Sequence, residues 1–175
     1  HPICGATHTD IGDHTGTCEN VDWTAWDGTT DFPGGNVYLS NDITLEETLE
    51  ISSGTVNLCL NGNDILSDNT AIKVTEGAIL NICDCSSNKT GTIKSGYYGI
   101  YNGGGAVNIY GGKVSGTSGS TVYINGGTLN LKGGRLESIS AENNATALYI
   151  SGSSTVNISG GEIYAEGGSD RDVCG

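Results

Sequence analysis

The chain has little proline, a single phenylalanine, no methionine and few basic residues, and each shortage removes a class of explanation. With only 2 prolines in 175 residues, almost every backbone N–H is available for the ladder of a sheet. Lys and Arg together number 7, scattered from Lys73 to Arg171, against 20 acidic residues. A net charge of −13 without a basic cluster excludes the phosphate neutralisation that nucleic-acid binding requires. The same charge disfavours anionic membranes and polyanionic sugars such as pectin. No stretch approaches the ~18 consecutive apolar residues of a membrane span, so membrane insertion is not expected. No signal peptide is visible, and a chain that begins at His1 without methionine is expected to be part of a larger, multidomain protein.

Catalytic constellations are missing as well. The three histidines all lie at or before His14, so no Ser-His-Asp or Cys-His arrangement fits the rest of the chain. Ten of the 20 acidic residues lie in positions 1–50, and between Glu76 and Glu166 only Asp84, Glu137, Glu142 and Glu162 remain. No two of these share a repeat position, so the paired carboxylates of a glycosidase do not form. The chain is expected not to be an enzyme.

What is abundant is glycine, with 29 residues that follow no three-residue period and so exclude collagen. A phrase of apolar-Asn-apolar recurs as Val56-Asn57-Leu58, Leu80-Asn81-Ile82, Val107-Asn108-Ile109, Leu129-Asn130-Leu131 and Val156-Asn157-Ile158. The asparagines are spaced by 24, 27, 22 and 27 residues, the period of a solenoid whose coils bury apolar sides only by stacking. Within each phrase the two-residue rhythm of a strand points the apolar pair inward and the Asn outward. Two further strand phrases recur per coil. One runs through Ile65, Ile93, Val114, Leu136 and Ile163, the other through Ile72-Lys73-Val74, Ile100-Tyr101-Asn102, Val122-Tyr123-Ile124 and Leu148-Tyr149-Ile150. The pattern predicts an all-β fold: a right-handed parallel β-helix of about five to six coils over residues 37–175, behind a Cys/His-rich cap at 1–36. Trp23 and Trp26 are expected to plug the open end of the core. The insertions at 83–91 and 138–145 are expected to loop out at corners.

This register makes outward stacks. Lys73, Tyr101, Tyr123 and Tyr149 fall in consecutive coils about 4.8 Å apart and form the candidate ligand-binding face. Tyrosine offers rigid, amphipathic area at low entropic cost, for a protein partner or for a sugar ring bordered by Tyr97, Tyr98 and Asn102. Bland cross-strand stacking accounts for the same residues. The asparagines form a second ladder, read as structural. Cys4, His8, His14 and Cys18 supply four N/S ligands, so one structural zinc is expected there, with a Cys4–Cys18 disulfide as the alternative. Cys59 and Cys83 occupy one slot in adjacent coils and are expected to bond if the protein is oxidised. The pairing of Cys85 and Cys174 stays open.

Taken together, the Cys/His-rich start, Trp23-Thr24-Ala25-Trp26, Phe32-Pro33-Gly34-Gly35-Asn36-Val37-Tyr38-Leu39, Gly54-Thr55-Val56-Asn57-Leu58-Cys59-Leu60-Asn61-Gly62 and Leu80-Asn81-Ile82-Cys83-Asp84-Cys85 carry a resemblance. With the Gly-Gly phrases at Gly111, Gly133 and Gly160, the chain resembles a recurrent module of large surface proteins from gut-dwelling Gram-positive anaerobes. Such modules look like pectate-lyase-type β-helices without the catalytic set. The resemblance implies a wall-anchored or secreted location and a noncatalytic adhesive role toward a host protein, such as an immunoglobulin or a mucin, or toward a glycan. A structural spacer is the remaining alternative.

Overall fold

The computed structural model describes residues 22–140 and 145–167, and over them the chain is all-β, a parallel β-solenoid of about five turns. No helix occurs among the described residues, so none is long and apolar enough to cross a membrane.

Each turn contributes to three faces. Face one holds β1 (Thr24–Trp26), β2 (Asn36–Leu39), β5 (Gly54–Cys59), β8 (Ala78–Cys83), β11 (Ala106–Ile109) and the later halves of β13 (Ser120–Leu131) and β15 (Thr146–Ile158). Face two is a separate six-stranded sheet of β3 (Ile43–Leu45), β6 (Ile65–Ser67), β9 (Thr92–Ser95), β12 (Lys113–Gly116), β14 (Arg135–Ile139) and β16 (Glu162–Glu166). Face three holds β4 (Leu49–Ile51), β7 (Ile72–Thr75), β10 (Ile100–Gly103) and the earlier halves of β13 and β15. All the paired strands run parallel, as successive coils of one hand require. In the last coils faces three and one fuse, because β13 and β15 run continuously around the corner through a bulge near Asn125.

Alternation explains the core. Leu58, Ile82, Ile109 and Leu131 share one inward register position, and Ile65, Ile93, Val114 and Leu136 another. All eight are at most 1% exposed, and burial of each aliphatic side chain contributes roughly 1.5–3 kcal/mol. At the last described coil Ile158 and Ile163 hold these same two positions and Ile150 pairs with the buried Ile124; Ile150, Ile158 and Ile163 are 51%, 56% and 36% exposed because no described coil covers them.

One corner shows why glycine recurs. Gly112, Gly134 and Gly161 stack there with φ of +83°, +79° and +84°. A Cβ on Gly134 would lie 2.5 Å from the Gly112 carbonyl oxygen, and one on Gly161 would lie 2.9 Å from that of Gly134. Both the dihedral and the spacing therefore demand the smallest residue.

At the other end the strand pairing begins ahead of Val37, since β1 pairs with β2 in parallel register. Trp26 is 4% exposed within the core cluster, meets Phe32 edge to face at 4.9 Å and donates its indole N–H to the Thr30 carbonyl. Trp26 thus takes the plugging position expected of it, while Trp23 is only half-buried.

Candidate functional site

The outward stack on face three runs Glu50, Lys73, Tyr101, Tyr123, Tyr149, fixed by the register of β4, β7, β10, β13 and β15. The three tyrosines touch in series: Tyr101 and Tyr123 lie 5.3 Å apart at 81°, Tyr123 and Tyr149 5.1 Å apart at 73°. Two more rings join them from the corner before β10. Tyr98 lies 5.2 Å from Tyr123 and 6.0 Å from Tyr101, and Tyr97 lies 4.2 Å from Tyr98. The result is a continuous patch of five rings, with Tyr97 and Tyr149 about half exposed and the other three intermediate. Asn125 donates to the Tyr101 hydroxyl at 3.1 Å, and Tyr98 donates to that of Tyr97 at 3.3 Å. That last bond, followed by burial, pushes the Tyr98 hydroxyl up to about 12. Lys73 is not an independent cation beside the patch, because its ammonium lies 3.4 Å from Glu50.

Tyr98, which the sequence reading named with Tyr97 only as a border to a sugar ring, packs against the ladder itself. It lies outside a strand, where a two-residue rhythm assigns no direction. Asn102 corrects the sequence reading in the opposite sense: it is fully buried and does not border a groove. Its carbonyl oxygen accepts from the Gly104 and Gly105 amides, and its amide donates to the carbonyls of Gly105 and Thr128. It shares the inward parity of Ile100, and that parity was the available signal.

Face two carries charge that is neutralised within the face. Glu137 receives Lys113 at 3.0 Å on one oxygen and the Arg135 Nε at 2.8 Å on the other, while Arg135 also reaches Glu162. Burial works to raise the Glu137 carboxyl, but the hydrogen bond and charge of Lys113, then those of Arg135, hold it below the usual range.

On face one each asparagine amide donates to the carbonyl oxygen of the preceding rung. The chain of bonds runs Asn57 to Asn36, Asn81 to Asn57, Asn108 to Asn81, Asn130 to Asn108 and Asn157 to Asn130, at 2.6–2.8 Å. Asn36 is a further rung that the five-phrase pattern left out.

The same face ends in a thiol cluster. Cys59 and Cys83 do share one register slot, next to Tyr38 of the preceding coil. They are not joined as a disulfide, and they are buried at 0% and 1% exposure under the following corner. That corner brings in Cys85, whose Sγ lies 3.7 Å from that of Cys83. All three Sγ atoms lie within 4.8 Å of one another. Asp84 folds the corner: its carboxylate accepts the backbone N–H of Gly62 and of Ser86 at 3.0 Å each and of Gly91 at 2.7 Å. Hydrogen bonds from Cys59, then Cys83, hold the Cys85 thiol below the ordinary range, whereas the contacts of Cys83 with Cys59, then with Cys85, and its burial push the Cys83 thiol up. Cys85 is the most accessible of the three.

Cys4, His8, His14 and Cys18, the zinc ligands expected from the sequence, lie outside the described residues, as does Cys174. Comparison with known proteins adds nothing to the geometry: no family model, curated protein or solved structure matches the chain.

Proposed function

We propose that the chain is a noncatalytic binding module of a bacterial surface or secreted protein, which engages a host protein through face three. The observation that supports this reading is the five-ring patch of Tyr97, Tyr98, Tyr101, Tyr123 and Tyr149 on a rigid solenoid. A few residues carry most of the energy in typical interfaces, and tyrosine is enriched among them. A face of this kind accommodates the ~800 Å² per partner of a standard complex. The surface location follows from the resemblance to gut surface modules.

Ring orientation favours a protein over a glycan. A sugar chain stacks on coplanar rings, whereas successive rings of the strand ladder turn by 81° and 73°, and Tyr98 is tilted by 32° and 55° against Tyr101 and Tyr123. The noncatalytic reading draws support from the coil carboxylates. Asp84 is saturated by three amide N–H groups, and Glu137 is clamped by two cations.

Purified secretory immunoglobulin and purified intestinal mucin, each before and after deglycosylation, are the probes. Saturable binding to either that survives deglycosylation and is lost in the Tyr101→Ser/Tyr123→Ser/Tyr149→Ser variant supports the reading. Binding lost on deglycosylation transfers the face to glycan recognition, and binding unchanged in the variant removes face three.

A further inference from the structure

The thiol cluster at the end of face one has a geometry that hydrogen bonding alone does not require. Three cysteines from two adjacent coils converge, two from consecutive strands and one from beyond the corner. In a tetrahedral zinc site with Zn–S bonds near 2.3 Å, sulfur atoms sit roughly 3.8 Å apart. The Cys83–Cys85 separation of 3.7 Å already matches that edge. The other two separations are no longer than 4.8 Å, so closure onto a metal needs movements of about 1 Å or less. The corner that supplies Cys85 is held by a carboxylate whose bonds go to three backbone amides, so Asp84 positions a ligand and is itself engaged.

The geometry points to a thiolate site for a zinc-class divalent cation, formed by Cys59, Cys83 and Cys85 with a fourth position open toward solvent beside Cys85. Thiolate ligands select soft metals such as zinc over calcium or magnesium. Binding displaces the thiol protons, so uptake releases protons and weakens as pH falls. The site ties the corner at 83–91 to the preceding coil, and it lies on face one, away from the tyrosines of face three. A cation here locks the corner next to Tyr110 without altering the proposed docking face.

Cobalt(II) is the probe, added to the full chain and to its Cys85→Ser variant after reduction and metal removal. Any site elsewhere in the chain contributes equally to both. The expected result is that the unmodified chain takes up one equivalent more than the variant. That equivalent should show sulfur-to-cobalt charge-transfer absorption and tetrahedral visible bands, both bleached by zinc. Affinity at this site should fall by at least ~100-fold in the variant, since even outer partners of metal ligands are worth 10–100-fold. Cys85 is half-buried, so Cys85→Ser is expected to keep the far-UV spectrum of the parent; Cys59→Ser, at a fully buried position, provides the second variant. An independent readout uses the unmodified chain: zinc should slow alkylation of Cys85 by iodoacetamide without slowing that of Cys174. Equal cobalt uptake in both chains, or alkylation of Cys85 indifferent to zinc, overturns the site. So does a chain isolated without reductant in which two of the three cysteines are joined and no metal is retained.

Discussion

Lys113 and Glu137, on adjacent coils of face two, are held with Nζ 3.0 Å from Oε1, and Arg135 takes the other oxygen of the same carboxylate. The arrangement lowers the Glu137 carboxyl relative to an unfolded chain. Its stabilising contribution is therefore complete above the unfolded value of ~4.3 and disappears as pH drops through the lower folded value. Glu137→Gln should cost about 1 kcal/mol at pH 7, or ~2–4 °C in Tm, and should make urea unfolding less sensitive to pH below ~4.3 than the parent. An equal acid dependence in parent and variant would remove Glu137 as the titrating group.

Tyr149 separates binding from stacking on face three. It is 51% exposed and touches Tyr123, whereas Tyr123 touches Tyr98, Tyr101 and Tyr149. Tyr149→Ala should cost less than about 1 kcal/mol of stability yet weaken partner binding by roughly 30-fold. Tyr123→Ala should cost both. Thermal unfolding beside binding titration reads the two effects, and a Tyr149 variant that loses stability while binding stays unchanged would leave the ladder purely structural.

Asp84 governs the corner by accepting three amide N–H groups from a site only 5% exposed. Asp84→Ala strands those donors and should cost about 3 kcal/mol, whereas Asp84→Asn, which keeps the acceptor oxygen, should cost less. Hydrogen exchange should show the loss concentrated in 83–91. A protection pattern unchanged there would mean that the corner is held by other contacts.

Asn81 both donates to Asn57 and accepts from Asn108, while Asn157 has one bond in the ladder and an exposed side chain. Asn81→Ala should therefore lower stability by about 1–2 kcal/mol and Asn157→Ala by clearly less. Denaturant unfolding of the two variants tests the gradient, and equal losses would contradict a ladder whose strength depends on its interior rungs.

How much of this was legible in the sequence follows from what alternation can encode. The repeated Asn phrase fixes the register of face one and, by counting along each coil, the stack of Tyr101, Tyr123 and Tyr149. Corners carry no such rhythm. Tyr98 joins the patch, and Cys85 joins Cys59 and Cys83, only because a corner folds back, and the second fold depends on three amide bonds to Asp84. The pairing of Glu50 with Lys73 needed the coil before the regular repeats, where β4 has just three residues. Asn102 was misassigned although its parity was readable, because its polarity outweighed its position.

The asparagine ladder has a direction as well as a length. Every rung hands its proton toward the amino-terminal coil, ending at Asn36, whose amide donates to the Asp22 carbonyl. Joining coils therefore obeys a grammar. A repeat spliced in behind Ile158 continues the sentence only if its matching slot brings a donor to the Asn157 oxygen. An aspartate there sets oxygen against oxygen, and a one-residue slip puts an aliphatic chain in the same place. Length changes at the corners leave this syntax untouched, so coils of 22 and 27 residues can stand side by side in one stack.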